Sequence, residues 1–169
     1  MKKYIIFLIT APVIVAIDQI TKAYIDSTMA LHDSLTVLPG FFSITYVRNP
    51  GAAFGFLAGA SPMFRSIFFL AITAAAIGLI LYYIAKSQND EPLLTFSLSL
   101  ILSGAVGNFI DRIKIGEVID FLDVYIGSHH WPAFNVADSA ISVGAVILIV
   151  AMYRRSRSRG ADPKTPASS

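Results

Sequence analysis

Four apolar runs of bilayer length, three of them edged or interrupted by a carboxylate, constrain this chain more than any other feature. They cover about residues 4–25, 66–85, 93–111 and 135–153. A helix crosses the hydrocarbon core in about 20 residues, roughly 30 Å. In lipid every backbone group must be satisfied within the segment, so each run reads as a transmembrane helix. The acids are the anomaly. Asp18 interrupts the first run, Asp111 ends the third and Asp138 opens the fourth, while Asp120 and Asp123 sit in the apolar stretch between the last two. An ionised carboxylate beside hydrocarbon costs several kcal/mol, which makes each a candidate functional residue.

Composition agrees with a membrane domain. Of 169 residues 55% are hydrophobic and 14% charged, against roughly 25% charged in soluble domains. The sequence therefore predicts one all-α membrane domain over residues 1–155, a four-transmembrane-helix bundle, followed by a disordered cytoplasmic tail over 156–169. A net charge of +2 gives no basis for a nucleic-acid partner, and the absence of cysteine removes thiolate chemistry and any lipid anchor on Cys. Lys2 and Lys3 before an apolar run resemble a cleavable leader, but the run continues into Asp18-Gln19-Ile20-Thr21-Lys22 rather than a small-residue processing site.

Charge distribution orients the spans. Lys2 and Lys3, Lys86, and the cluster Arg154, Arg155, Arg157 and Arg159 all fall on one side of a four-span topology, which makes that side cytoplasmic. Both termini are then inside. Residues from about 26 to 63 and 112 to 134 face outward. Residues 35–47 are rich in β-branched and aromatic side chains and broken by Pro39-Gly40, which predicts short strands within an outer segment of about 35–60. The expected fold is thus the helix bundle plus a small β-rich cradle on the outer membrane surface. Arg48 to Gly55 reads as a glycine-rich loop suited to closing over an extended peptide.

Several candidate residues have two readings. Asn135 with Asp138 three residues later resembles a capping box, and a helix N-terminus also favours an ionised carboxylate. Asp120, flanked by Ile119 and Phe121, is placed where desolvation favours the protonated form. Two acids of this kind, sharing one proton, could activate water and polarise a carbonyl. As a turn acid, Asp120 would instead pair with Lys114 or a backbone amide. Asp123, beside Gly127-Ser128-His129-His130, suits a solvated role. Asp18 and Lys22 have the favourable i,i+4 order of a helix ion pair, a structural clamp. Asn108 needs a partner inside the protein, and Asp111 with Arg112 reads either as an ion pair or as an Arg free to hold a carbonyl or a lipid headgroup.

The motifs gain specificity in combination. Asp18-Gln19-x-x-Lys22, Asn49-x-Gly51-Ala52-Ala53-Phe54-Gly55, Gly104-x-x-Gly107-Asn108-x-x-Asp111-Arg112, Val118-Ile119-Asp120-Phe121 and Pro132-Ala133-Phe134-Asn135-x-Ala137-Asp138-Ser139 follow in order between the spans. Together they resemble the bacterial lipoprotein signal peptidases (signal peptidase II) over the whole chain except the tail. The resemblance implies a membrane aspartyl endopeptidase that cuts before a diacylglyceryl-modified cysteine, without cofactor or metal. It implies a monomer in the bacterial inner membrane, with prolipoproteins and membrane lipids as partners and the active site near the outer leaflet. Carried over by motif, the catalytic pair is Asp120 and Asp138. Asn49, Gly51, Asn108, Arg112 and Asn135 fall on substrate-binding positions, and Asp18, Lys22 and Asp111 on supporting ones. Two other classes remain open on the residues alone. A proton-coupled transporter would place its acids near mid-depth rather than at one side. A non-catalytic assembly or lipid-binding subunit would use them as ion pairs.

Overall fold

A computed structural model of the chain describes residues 2–51, 60–87 and 91–160. Its elements run α1 (Lys2–Thr28), β1 (Ser34–Leu38), β2 (Phe42–Asn49), α2 (Pro62–Lys86), α3 (Pro92–Ile115), β3 (Val118–Ile126), β4 (His129–His130) and α4 (Val136–Gly160). The helices are the expected four, each longer than its apolar run. Lipid contact ends where charge begins, but intrahelical hydrogen bonding continues until a cap stops it. Ser61 accepts from the Phe64 amide ahead of Pro62 at the start of α2, and Pro92 opens α3 as the sequence suggested. Gly116, at φ 77°, turns the chain out of α3 while its N–H bonds the Arg112 carbonyl. At the other end α4 continues to Gly160, so residues 156–160 belong to the helix and not to the tail; residues 161–169 lie outside the described residues.

The centre of the bundle is α3. Of its most apolar window 61% is buried, against 6%, 6% and 17% for α1, α2 and α4. Lipid would cover the other helices, whose large side chains stand exposed. What lets α3 sit inside is small residues. Ser97, Ser99 and Ser103 are fully buried and return their hydroxyls to carbonyls three or four residues back. Gly104 and Gly107 leave room for the start of α4 and for α1: a Cβ on Gly104 would strike the Ala137 carbonyl oxygen, and one on Gly107 would stand 2.5 Å from Asp18 Oδ2. Apolar contact completes the packing, with Ile84, Leu98 and Leu102 joining α2 to α3.

The strands form one antiparallel sheet in the order β1-β2-β3-β4. β1 and β2 fill the segment read as strands, turning at Gly40. β3 and β4 were not anticipated: the run after α3 pairs with β2, setting Asp120 opposite Val47 and Asn49 opposite Val118. Trp131 and Phe134 then bond back to β3 through Val124 and Leu122, so the chain entering α4 is sewn to the strand that carries Asp120. Ile25, Tyr46, Ile119 and Phe121 pack the sheet onto the end of α1. At the opposite end, Lys3 donates to the Ala85 and Ser87 carbonyls and Arg155 pairs with Glu91. The N-terminus, the α2–α3 connection and the end of α4 therefore share one end, and the sheet lies at the other.

Close packing at α3 makes a sharp prediction. Gly104→Ala should destabilise the detergent-solubilised protein by about 1–3 kcal/mol through overpacking. Gly78→Ala, where nothing lies within 4 Å of an added Cβ, should leave the melting temperature unchanged or slightly raised, as thermal unfolding would show.

Candidate active site

A buried ammonium sets the geometry. Lys22 is 2% exposed, and its three N–H bonds meet three acceptors: Asp18 Oδ2 at 2.9 Å, Asp111 Oδ2 at 2.8 Å and Asn108 Oδ1 at 2.9 Å. Asp18, completely buried, also accepts the Ala137 amide through Oδ1 at 2.9 Å, which ties α1 to the first turn of α4. Asp111 accepts the Ile119 amide and the Gln19 side chain. The expected i,i+4 clamp is present, but it is one arm of a larger cluster. Asp111 does not pair with Arg112, because helix neighbours point apart. Arg112 turns instead toward the α2 face, with its guanidinium 5.4 Å from the centre of the Phe69 ring and a bond to the Asn108 carbonyl.

Above this cluster two asparagines hold two carboxylates. Asn108 Nδ2 donates to Asp138 Oδ1 at 2.8 Å. Asn135 Nδ2 donates to Asp120 Oδ1 at 2.7 Å and also faces Asn108 Oδ1 and the Ile119 backbone carbonyl. The capping box is present as well: the Asp138 amide donates to Asn135 Oδ1 at 2.9 Å, and the Asn135 amide to Asp138 Oδ2 at 3.3 Å. Asp138 thus caps its own helix while accepting the Asn108 side chain from α3. From the sheet, Asn49 Nδ2 donates to Asp120 Oδ2 at 3.0 Å across the β2–β3 diagonal. The Gly51 amide holds Asn49 Oδ1 at 2.9 Å, which turns the NH2 of Asn49 toward the acid. Gly51 has φ 100° and faces the Phe69 ring, where a side chain would collide.

Asp120 and Asp138 open into the same cavity of about 440 Å³, walled by Arg48, Asn49, Pro50, Trp131 and Phe134. Burial, and then the nearby Asp138, push the Asp120 carboxyl up to about 7, against the lowering pull of Asn49, Asn135 and Lys22. Asp120 is thereby suited to hold a proton near neutral pH while a neighbour is ionised, which permits acid–base chemistry on a carbonyl.

Other candidates fall elsewhere. Lys114 bonds Gln19 Oε1 and not Asp120. Asp123 pairs with His130 on the exposed side of the sheet, as its solvated reading implied. Arg48 joins Asp26 and Tyr46 at the rim. Residues 52–59 of the glycine-rich loop lie outside the described residues. Gln19, which carries no role in the sequence reading, bridges Asp18, Asp111 and the Gly107 carbonyl. Its signal was its place between two buried charges. Among the described residues, no three His, Asp or Glu side chains converge as a metal site.

The family model described as signal peptidase (SPase) II matches residues 10–154. The chain belongs to the signal peptidase II family. The lipoprotein signal peptidase of Syntrophus aciditrophicus (strain SB) is 54% identical over 158 residues, covering 94% of this chain and 98% of that protein. That of Geobacter metallireducens (strain ATCC 53774 / DSM 7210 / GS-15) is 53% identical over 159 residues, with 94% and 97% covered. A solved structure described as a bacterial membrane enzyme, obtained by the in meso method at 2.3 Å, superposes with a TM-score of 0.78. It is 36% identical and covers 96% of this chain and 93% of its own. A bundle of four span-capable helices with a four-stranded sheet is therefore the architecture of this signal peptidase II family member, a multi-pass bacterial membrane protein.

The Asp120 titration has a defined sign. Its folded value, about 7, lies above the ordinary 3.8, so the folded protein holds this proton more tightly than the unfolded chain. Stability from this group is complete below pH 3.8 and is lost as pH rises to about 7. A protonated-carboxyl infrared band should fade as pH rises through about 7 and be missing in Asp120→Asn.

Proposed function

We propose that the protein is an aspartyl endopeptidase that removes the signal peptide from diacylglyceryl-modified prolipoproteins, cutting just before the lipidated cysteine, with Asp120 and Asp138 as its catalytic pair. Membership of the signal peptidase II family and the lipoprotein signal peptidases it resembles support prolipoprotein processing. One observation carries the catalytic assignment. These two carboxylates line one cavity at the sheet end of the bundle and are bracketed by the same pair of amides.

Asp138, half-buried at the N-terminus of α4, accepts two N–H donors and is the ionised partner. It removes a proton from water, whose oxygen attacks the scissile carbonyl carbon. Asp120, the more deeply buried acid, donates its proton to the carbonyl oxygen. The tetrahedral intermediate then collapses: the C–N bond breaks, the amine of the lipidated cysteine takes up the proton held by Asp138, and Asp120 recovers its own from the hydroxyl. The pair is restored without a cofactor. Asn49 and Gly51 shape the wall from which a peptide meets Asp120, and Arg112 offers its remaining N–H donors to a substrate carbonyl.

The location suits a lipid-anchored substrate, whose acyl chains stay in the bilayer and hold the scissile bond near the headgroups. With Lys3, Lys86, Arg154 and Arg155 at the end away from the sheet, the positive-inside rule puts both termini in the cytoplasm and the site near the outer leaflet. Both acids and their described donors lie in one chain, which is compatible with action as a monomer.

The experiment is cleavage of a purified diacylated prolipoprotein. Wild type should cut before the lipidated cysteine, and folded Asp120→Asn and Asp138→Asn should each lose about 10²–10⁴-fold in rate. A folded variant cutting at the wild-type rate would show that its residue is a structural acid.

A further inference from the structure

We propose that Lys22 is a positioning residue: through Asn108 it dictates which face of that amide meets Asp138, and so keeps Asp138 supplied with an N–H donor. The inference rests on the catalytic reading of Asp120 and Asp138.

The argument begins with inventory. An ammonium has three donors and no acceptor, so an amide beside it can present only its oxygen. Asn108 does so, with Oδ1 2.9 Å from Lys22 Nζ. Its other pole is then fixed, and Nδ2 faces Asp138 Oδ1 at 2.8 Å. Turning the amide over would set NH2 against NH3+ and an oxygen against a carboxylate, which is repulsive at both contacts. Lys22 cannot move away to permit this, since Asp18 and Asp111 grip it at 2.9 and 2.8 Å and it is 2% exposed. The orientation of the Asn108 amide is therefore fixed. Its oxygen also receives Asn135 Nδ2, at 3.2 Å, and that amide reaches Asp120. One positive charge thus stands a single amide away from Asp138 and two amides away from Asp120, and the bond from Asn108 to Asp138 is strengthened by the charge polarising that amide.

The charged groups facing Asp138 come from three elements: Lys22 and Asp18 of α1, Arg112 of α3, and Asp120 of β3. Arg112 is directed toward Phe69 and Asp18 is spent on the Ala137 amide and on Lys22. Lys22 is the cation that the bonded path connects to Asp138. It is absent from the wall of the cavity that holds Asp120 and Asp138, and its three donors are spent on Asp18, Asp111 and Asn108.

The test is the pH profile of kcat/KM for cleavage of the diacylated prolipoprotein in detergent or liposomes. Lys22→Met alone would strand two buried acids, so it is combined with Asp111→Asn, which leaves the net charge of the cluster unchanged. K22M/D111N should bind with nearly unchanged KM but lose about 10²-fold in kcat. Its acid limb should move to higher pH, because an Asn108 amide no longer oriented by Lys22 ceases to hold its N–H on the Asp138 carboxylate. Asn108→Leu should move the limb the same way with Lys22 intact, and this variant carries the test if K22M/D111N does not fold. Adding N108L to K22M/D111N should cost nothing further, since both act along one path. An unmoved limb in N108L, or losses that multiply in the triple variant, would overturn the role of Lys22. Folded Asp120→Asn or Asp138→Asn that still cleaves would instead sink the catalytic reading on which it stands.

Discussion

A single buried ammonium organises this protein. Lys22 of α1 is held by carboxylates of α1 and α3 and by the amide that reaches the first turn of α4. Removing one partner of a buried ion pair costs roughly 3–5 kcal/mol, because the other charge is left without compensation. Inside a bilayer no water relieves that cost. The three helices are thus locked in rotation about their axes: α1 cannot turn without pulling Lys22 from Asp111, and α4 cannot turn without losing the Ala137 amide to Asp18. Fixing those rotations also fixes where Asn108 and Asp138 point.

That arrangement requires close backbones, and α3 is made for it. Gly104 and Gly107 sit where any side chain would collide with Ala137 or Asp18. Lipid-facing helices gain little from burying more hydrocarbon, since lipid is as apolar as leucine; they gain from contact and from satisfied polar groups. Small residues and an internal polar cluster are therefore two aspects of the same solution. The sheet adds the second acid from outside the bundle. Ile25, Tyr46, Ile119 and Phe121 seat it on α1, and the Ile119 amide bonds Asp111, so β3 is registered against the same cluster.

Much of this was legible in the chain. Bilayer length and apolarity placed four helices, and Pro92, Pro39-Gly40 and the Asn135–Asp138 spacing marked a helix start, a turn and a cap that the structure contains. Other features stayed open or hidden for local reasons. Asp111 beside Arg112 fitted either an ion pair or an Arg with another acceptor, and the cation of Asp111 comes from another helix, because adjacent helical residues diverge. Val118 to Ile126 carried β-branched and aromatic residues before Gly127-Ser128, a strand-and-turn signal hidden by the apolar span preceding it.

The sequence by itself determined that this chain lies in a membrane, which segments cross it, and which few charged residues such a chain can retain. Those are properties of segment length and transfer free energy, and they belong to each stretch alone. Only the tertiary structure decided which acid meets which partner. Asp120 and Asp138 reach one cavity because Phe134 pairs with Leu122, and Asn108 faces Asp138 because Lys22 claims its oxygen. Hydrogen bonds and ion pairs depend on a few tenths of an ångström between residues far apart in the chain, and no local pattern encodes that distance.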